Sequence, residues 1–433
     1  MRPLYFILFY ILNYTLRLYF RNIKVINKPP KYGKTIYVSN HAASFMDPLV
    51  IAAFNRSVVY FMTRSDVFTS FTKPIFWVAH MLPIYRQRDG VNTKEKNIEV
   101  FKKCTETLLR SRNLLIFGEG FTDDTFIRRL KPIKKGAVRI GFTALEACNW
   151  EEDIYIAAVG CNYSDPARFG SDLLIKNSKP ILLNQYQSEY QKNPSKVISE
   201  VTALVEGLLK EELTHVEDIE NAEYHEKIMM LERKGMFDSF SNHPDLEARW
   251  EYSSSLAKRI NESKLTISKD LKSSMDAYFQ KLKKIEISDD LFYDSINNRL
   301  KPIHFFIQFA LIPFSVLGFV HCALFYFLIK RFVEKKFRRD VFWGSTKLIM
   351  MIFIVGPINL GIFFFLPDLI GWPLTILYFL LIPMLGHSFY LSMRFWQRVL
   401  LVSEIKRKDH ENLIKERADL KQKINNFVES ENN

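Results

Sequence analysis

The sequence predicts an α/β domain, a sheet with flanking helices, followed by a polar helical segment and a C-terminal helical membrane anchor. Three observations carry this. Between residues 21 and 215, short β-branched or aromatic runs bounded by turn residues alternate with helical periods, the pattern of an α/β sheet. Residues 216–300 lose the strand signal and become charged and rich in Ser, Glu and Lys. Dense apolar stretches then crowd into residues 305–393.

Taken in order, Pro3–Phe20 is apolar and aromatic but interrupted by Asn13 and Arg17, with Arg21, Lys24 and Lys28 behind it. It has no small-residue cleavage site, which argues against a signal peptide. A helix lying at headgroup level suits its aromatic body and basic flank better than a short span, which stays open. The expected strands are Thr35–Ser39, Val58–Met62, Leu114–Phe117 and Ile154–Cys161, each rich in β-branched or aromatic residues. Leu82–Arg88 is also strand-like and delivers Arg86 and Arg88. Thr93–Arg110 has a helical period, with apolar Ile98, Phe101 and Leu108 amid charges. The division expected is an interface helix at 1–29, an α/β domain at 30–215 and a polar helical insert or linker at 216–300. A hydrophobic anchor at 301–395 and a basic amphipathic tail at 396–433 complete it, the tail repeating Leu413, Leu420 and Phe427 every seven residues.

Phe305–Ile329 and Leu348–Leu366 carry no formal charge, and Trp372–Met393 is nearly as apolar. Runs of about 18–20 apolar residues are transmembrane candidates. Six basic residues lie in Lys330–Asp340, and the chain after Met393 opens with Arg394, Arg398, Lys406, Arg407 and Lys408, whereas Pro367–Trp372 has none. Basic segments stay in the cytoplasm, and three full crossings do not satisfy all these placements together with a cytoplasmic domain before Phe305. The expectation is that Phe305–Ile329, interrupted at Pro313 and Gly318, forms a re-entrant or in-plane hairpin, with only the last two segments crossing.

The whole-chain numbers agree with this division. The protein has 433 residues, is 48% hydrophobic and 14% aromatic, and carries a formal charge of +13. Disorder is excluded, since that much apolar content buries itself. Four scattered cysteines exclude a disulfide scaffold. A mean hydropathy of −0.06 averages a polar chain with an apolar anchor. The positive charge suits anionic lipid surfaces; nucleic-acid binding is not expected of a chain tied to a membrane.

Four stretches carry chemistry. In Val38–Pro48 a strand runs into a polar turn with His41, and Asp47 follows six positions later. An imidazole used as a base needs a partner on its second nitrogen, and Asp47 supplies one if the chain turns between them, with Ser44 as the expected helix N-cap. Leu114–Phe117 ends in Gly118-Glu119-Gly120, exposing backbone amides and a carboxylate at a sheet edge. Leu130–Arg139 places Lys134 and Lys135 ahead of Gly136, which opens a helix, an arrangement suited to phosphate. Arg86 adds a bidentate phosphate ligand. Other motifs fail: Gly33-Lys34-Thr35 has Lys28 where a P-loop needs glycine, and His41 and Asp47 have no further metal ligands at suitable spacing.

In these blocks the chain resembles the PlsC-like glycerolipid acyltransferase family: Asn40-His41…Asp47, Pro83-Ile84-Tyr85-Arg86, Phe117-Gly118-Glu119-Gly120 and Lys134-Lys135-Gly136-Ala137, with Ala158-Val159-Gly160 in place of a later apolar block. The likeness covers roughly residues 30–200. It departs from the usual pattern in having five residues between His41 and Asp47, Gly118 in place of Pro, and Phe121-Thr122 in place of Thr-Arg. In these features it looks more like the fungal-type glycerol-3-phosphate and dihydroxyacetone-phosphate acyltransferases, which also carry hydrophobic spans after the catalytic unit.

The resemblance implies a glycerol-phosphate acyltransferase-like sheet and a membrane-bound enzyme facing the cytoplasm. His41 would act as general base on an acceptor hydroxyl, with Asp47 orienting it. No separate cofactor is implied; the co-substrate is an acyl thioester of coenzyme A or acyl carrier protein, and the acceptor a glycerol phosphate or lysophospholipid. Arg86, Lys134 and Lys135 would hold the phosphate near Gly136, and Asn40, Glu119 and Gly120 would shape the acceptor site. Remodelling of lysophospholipids, or an inactive membrane protein that only binds lipid or a partner, are the alternatives.

Overall fold

The computed structural model describes residues 3–30, 33–55, 59–70, 72–85, 93–237, 245–262, 266–297, 300–408 and 411–429. The chain divides into two compact units, Met1–Ala222 with His243–Lys258, and Glu223–Asn242 with Arg259–Asn433.

The first unit is built on an eight-stranded sheet. Its elements run α1 (Pro3–Tyr19), β1 (Asn22–Ile26), β2 (Thr35–Ser39), α2 (Met46–Phe54), β3 (Val59–Arg64), α3 (Thr72–Val78), β4 (Met81–Ile84), α4 (Thr93–Leu109) and β5 (Asn113–Phe117). They continue through α5 (Gly136–Ala147), β6 (Tyr155–Tyr163), β7 (Asp172–Asn177), β8 (Ile181–Leu182), α6 (Gln187–Lys192) and α7 (Pro194–Glu211). The strand order is β1-β7-β6-β2-β5-β3-β4, with β8 beside β6. Pairing is parallel except where β6 meets β7 and β8. Central strands buried on both faces read as continuous apolar runs, which is how β2 and β5 look in sequence. Ile36, Val38, Leu114 and Ile116 pack with Val100, Cys104 and Leu108 of α4, Val138 and Phe142 of α5, and Val201 and Val205 of α7.

β2 connects onward past β5 to β3, whereas β5 connects back past β2 to β6. Right-handed connections that run in opposite directions leave a sheet on opposite faces. A crevice therefore opens at the carboxyl ends of β2 and β5, the usual ligand position in such sheets.

Several expectations are corrected. The strand β1 lies within the segment read as an interface helix, and it pairs in parallel with β7, so the sheet begins before residue 30. On α4, Ile98 is 67% exposed; Val100 and Cys104 take the core positions beside Leu108. Val58, the expected start of β3, and Arg88 lie outside the described residues. The polar stretch is helical, as α8 (Ile219–Glu232), α9 (Leu246–Asn261), α10 (Lys269–Lys284) and α11 (Asp289–Asn297), but it is not merely a linker. Arg249 of α9 reaches Asp172 at the start of β7 at 2.7 Å, where Arg21 also binds at 2.7 Å and Asn22 at 2.8 Å. Trp250 takes the Lys176 ammonium on its ring.

In the second unit, Pro302–Lys336, Asp340–Ile370 and Trp372–Ser403 form three helices long and apolar enough to cross a membrane. The expected hairpin within Phe305–Ile329 is absent. One continuous helix of 35 residues runs through it, because Pro313 is accommodated inside the helix and the chain passes Gly318 as a local widening at Phe319–Ala323. Gly318 is there for another reason: a Cβ on it would stand 2.0 Å from the Leu385 carbonyl of the third helix. Ser315 and Ser392 share a hydrogen bond of 2.7 Å beside this contact, and Ser392 also donates to Gln308. Small and hydroxylated residues at such a crossing let apolar helices pack closely. The tail helix Glu411–Glu429 buries Leu413, Arg417, Leu420 and Ile424, and Arg417 makes a two-pronged ion pair with Asp289 of α11 at 2.8 and 2.9 Å.

Asp172 is the electrostatic pin of the sheet edge. Burial works against its charge, but Arg21 and Arg249 outweigh it and hold the carboxyl below the usual carboxylate range. A group depressed in this way stabilises the fold above the unfolded pKa, about 3.9, and loses that contribution as pH falls through the lower folded value. Asp172→Ala would strand two guanidinium groups, at a cost of about 3–5 kcal/mol. The expected outcome is a lower thermal midpoint for the solubilised protein at pH 7, with the difference from wild type shrinking in acid.

Candidate active site

The register of the sheet assembles the site. Ser39 pairs with Phe117 of β5 and with Val159 of β6. Two residues further along each strand, His41, Glu119 and Cys161 therefore come into one row. The chain then reverses between His41 and Asp47, with Met46 N–H on the Ala43 carbonyl at 3.1 Å and Asp47 N–H on the Ser44 carbonyl at 3.3 Å. Ser44 has φ of 51°, a left-handed conformation uncommon outside glycine. Ser44 does not cap α2 as expected; Phe45 occupies the cap position, with no side-chain cap bond.

This turn brings the two distant groups together. His41 Nδ1 lies 3.1 Å from Asp47 Oδ2. A carboxylate accepts, so Nδ1 carries the proton and Nε2 is left as the basic nitrogen. The imidazole stacks on Phe117 at 4.3 Å and its side chain is 22% exposed. Asp47 is completely buried. Its Oδ2 also accepts from the Ala43 amide at 2.9 Å, and its Oδ1 from the Tyr163 hydroxyl at 2.8 Å.

Asn40 and Glu119 act on the backbone. Asn40 is buried and bonds twice to Cys161, accepting from its N–H at 2.9 Å and donating to its carbonyl at 3.1 Å. The amide thereby continues the β2–β6 pairing past the last regular residue. Glu119 accepts from His41 N–H at 2.6 Å through Oε1 and from Lys131 N–H at 3.2 Å through Oε2. Burial pushes its carboxyl above the usual range, and the two amides pull it back only in part. Both side chains thus fix backbone, and in that way shape the turns around the site.

The lysines separate. Lys134 lies over Gly120, whose missing Cβ would sit 2.8 Å from Nζ. Gly120 has φ of 77°, so it turns the chain where other residues are strained. Lys135 turns the other way, and its Nζ bonds to Ser199 of α7 at 2.6 Å. Gly136 opens α5 with clear space around its Cα. Arg86 lies outside the described residues. Tyr163 and Lys131 were missed in sequence. Lys131 is held by Asp123 at 3.1 Å and by the face of Phe121, and proximity to Glu119 in the motif was the available signal. Tyr163 had none, standing 116 residues from its partner. Among the described residues no group of His, Cys, Asp and Glu is placed to hold a metal ion.

A buried carboxylate orienting a partly exposed imidazole, at the carboxyl end of a parallel sheet, is an arrangement that can serve as a general base. An Acyltransferase family model matches residues 20–162. The matched segment contains His41, Asp47, Asn40, Glu119 and Lys134. No curated protein matches the chain in sequence. Among solved structures the chain is similar to the 1-acyl-sn-glycerophosphate (LPA) acyltransferase PlsC from Thermotoga maritima, at 16% identity and a TM-score of 0.32, over 48% of this chain and 84% of that one. So loose a superposition transfers no residue roles.

Glu119 supplies a test of the site's architecture. Glu119→Gln keeps one acceptor and turns an NH2 group toward a backbone N–H, leaving that donor buried without a partner. The cost of such a group is about 1–3 kcal/mol. A lowered thermal midpoint and faster proteolysis are expected, whereas Lys135→Ala, at an exposed position, leaves both unchanged.

Proposed function

We propose that this protein is a membrane-bound O-acyltransferase of phospholipid biosynthesis, moving a fatty acyl group from a thioester of coenzyme A or acyl carrier protein to a hydroxyl of glycerol-3-phosphate or lysophosphatidate. The observation that carries the proposal is the His41–Asp47 pair, with Nδ1 engaged and Nε2 left as the base. His41 Nε2 takes the hydroxyl proton as the oxygen attacks the thioester carbonyl carbon. Asp47 stabilises the imidazolium so formed. When the tetrahedral intermediate collapses, the C–S bond breaks and the departing thiolate takes the proton from His41. No acyl-enzyme is invoked, since no Gly-x-Ser-x-Gly elbow occurs in the sequence.

We take Lys134, whose Nζ lies over Gly120 in the loop after β5, as the cation that holds the acceptor phosphate. We assign the catalytic unit to the cytoplasm, where thioester donors are made; the Arg417–Asp289 pair ties the tail helix to α11, ahead of the first span-length helix, which supports an even number of crossings, as the basic tail requires. The span-length helices keep the enzyme where its acylated product partitions.

The deciding measurement is acyl transfer by the full chain in vesicles, offered glycerol-3-phosphate, lysophosphatidate and lysophosphatidylcholine. Transfer to a phosphate acceptor is expected, with His41→Ala reducing kcat by about 10²–10⁴-fold. Transfer to lysophosphatidylcholine alone would indicate remodelling, and transfer to none would overturn the proposal. Lys134→Ala is expected to raise KM for the phosphate acceptor about tenfold, equivalent to about 1.4 kcal/mol, with Lys135→Ala unchanged. For orientation, Asp153→Cys, at an exposed position, should stay unlabelled by an impermeant thiol reagent in intact cells; labelling there overturns the cytoplasmic assignment.

A further inference from the structure

Behind the His–Asp pair stands a hydroxyl outside the motifs, one residue past the matched family segment. Tyr163, the last residue of β6, is fully buried. Its ring lies 6.0 Å from that of Phe20 and 6.3 Å from that of Phe126, and its hydroxyl donates to Asp47 Oδ1 at 2.8 Å. Burial and the nearby Asp47 charge push its pKa well above the phenol range, so it remains a donor at any pH the enzyme meets.

We propose that Tyr163 is a positioning residue that locks the rotamer of Asp47 and moderates its grip on protonated His41, an inference that rests on the general-base reading of His41. A carboxylate that shares one oxygen with a phenol has less charge to place on the other. The imidazolium on Oδ2 is then held firmly enough to form, yet loosely enough to return its proton to the leaving thiolate. Asp47 faces His41 from α2. From the loop after β5, Glu119 holds the His41 amide, with Lys131 beyond it. β6 contributes Tyr163 and the buried Cys161 thiol, whose pKa is raised by burial and by Asp47. Among the described residues, only Tyr163, His41 and the Ala43 amide hydrogen-bond to the Asp47 carboxylate.

Tyr163→Phe deletes one oxygen and keeps the ring and its packing. In full-length protein, kcat is expected to fall about tenfold near neutral pH. The acid limb of kcat/KM should move up by about half to one pH unit, so the deficit narrows as pH rises, with KM for donor and acceptor within about twofold of wild type. Unchanged rates, or a loss equal at every pH, would show a packing role only and overturn the proposal. His41→Ala, assayed alongside, reports on the acyltransferase reading separately. Ring-resonance titration of His41 by NMR, assigned through His41→Ala, gives a readout free of turnover. A midpoint raised in Tyr163→Phe supports the proposal, and one unmoved or lowered overturns it.

Discussion

Everything at the candidate site hangs from the parallel pairing of β2 with β5 on one side and β6 on the other. Parallel neighbours end at the same edge, so whatever follows each strand is delivered to one place. The in-register pairs Ser39–Phe117 and Ser39–Val159 set the spacing to within one residue. A slip of one position would exchange inward and outward side chains throughout a strand. The buried residues of β2 and β5 against α4, α5 and α7 make such a slip costly. The geometry of the candidate site is thus a by-product of core packing that lies beneath it.

Past the regular pairing, side chains take over the work of the ladder. The Asn40 amide bonds to both backbone groups of Cys161, and the Glu119 carboxylate binds the amides of His41 and Lys131. Turns this tight leave backbone groups that the sheet cannot satisfy. Two polar side chains satisfy them and fix the loops in one step. Such support is what keeps a catalytic pair within reach of its working geometry.

The fold was legible in sequence where local pattern decides it. β2 is bounded as its run of β-branched and aromatic residues suggests, and α4 begins at Thr93 as its period does. β1 was hidden because Asn22–Ile26 is short and half-buried and its partner β7 stands 150 residues away, a pairing no window senses. At the site, His41, Asp47 and Lys134 were visible because the chemistry needs those residue types. What could not be read was direction: Lys134 and Lys135 are adjacent in sequence and diverge in space, and Asn40 and Glu119 bind backbone. In the anchor, Pro313 and Gly318 suggested a break, whereas the proline is accommodated and the glycine answers to the Leu385 carbonyl on another helix.

The double engagement of Asn40 and Glu119 bears on how this scaffold can change. Because both carboxylate oxygens of Glu119 and both ends of the Asn40 amide bind main chain, changing either residue would disturb the loops themselves. The arc from Phe121 to Ile127 is largely exposed or half-exposed, so changes of side chain there cost little packing. A redesign of acceptor preference would diversify that arc and leave the two clamps alone. The residues that make the motif recognisable are then the ones least able to say what the enzyme acts upon.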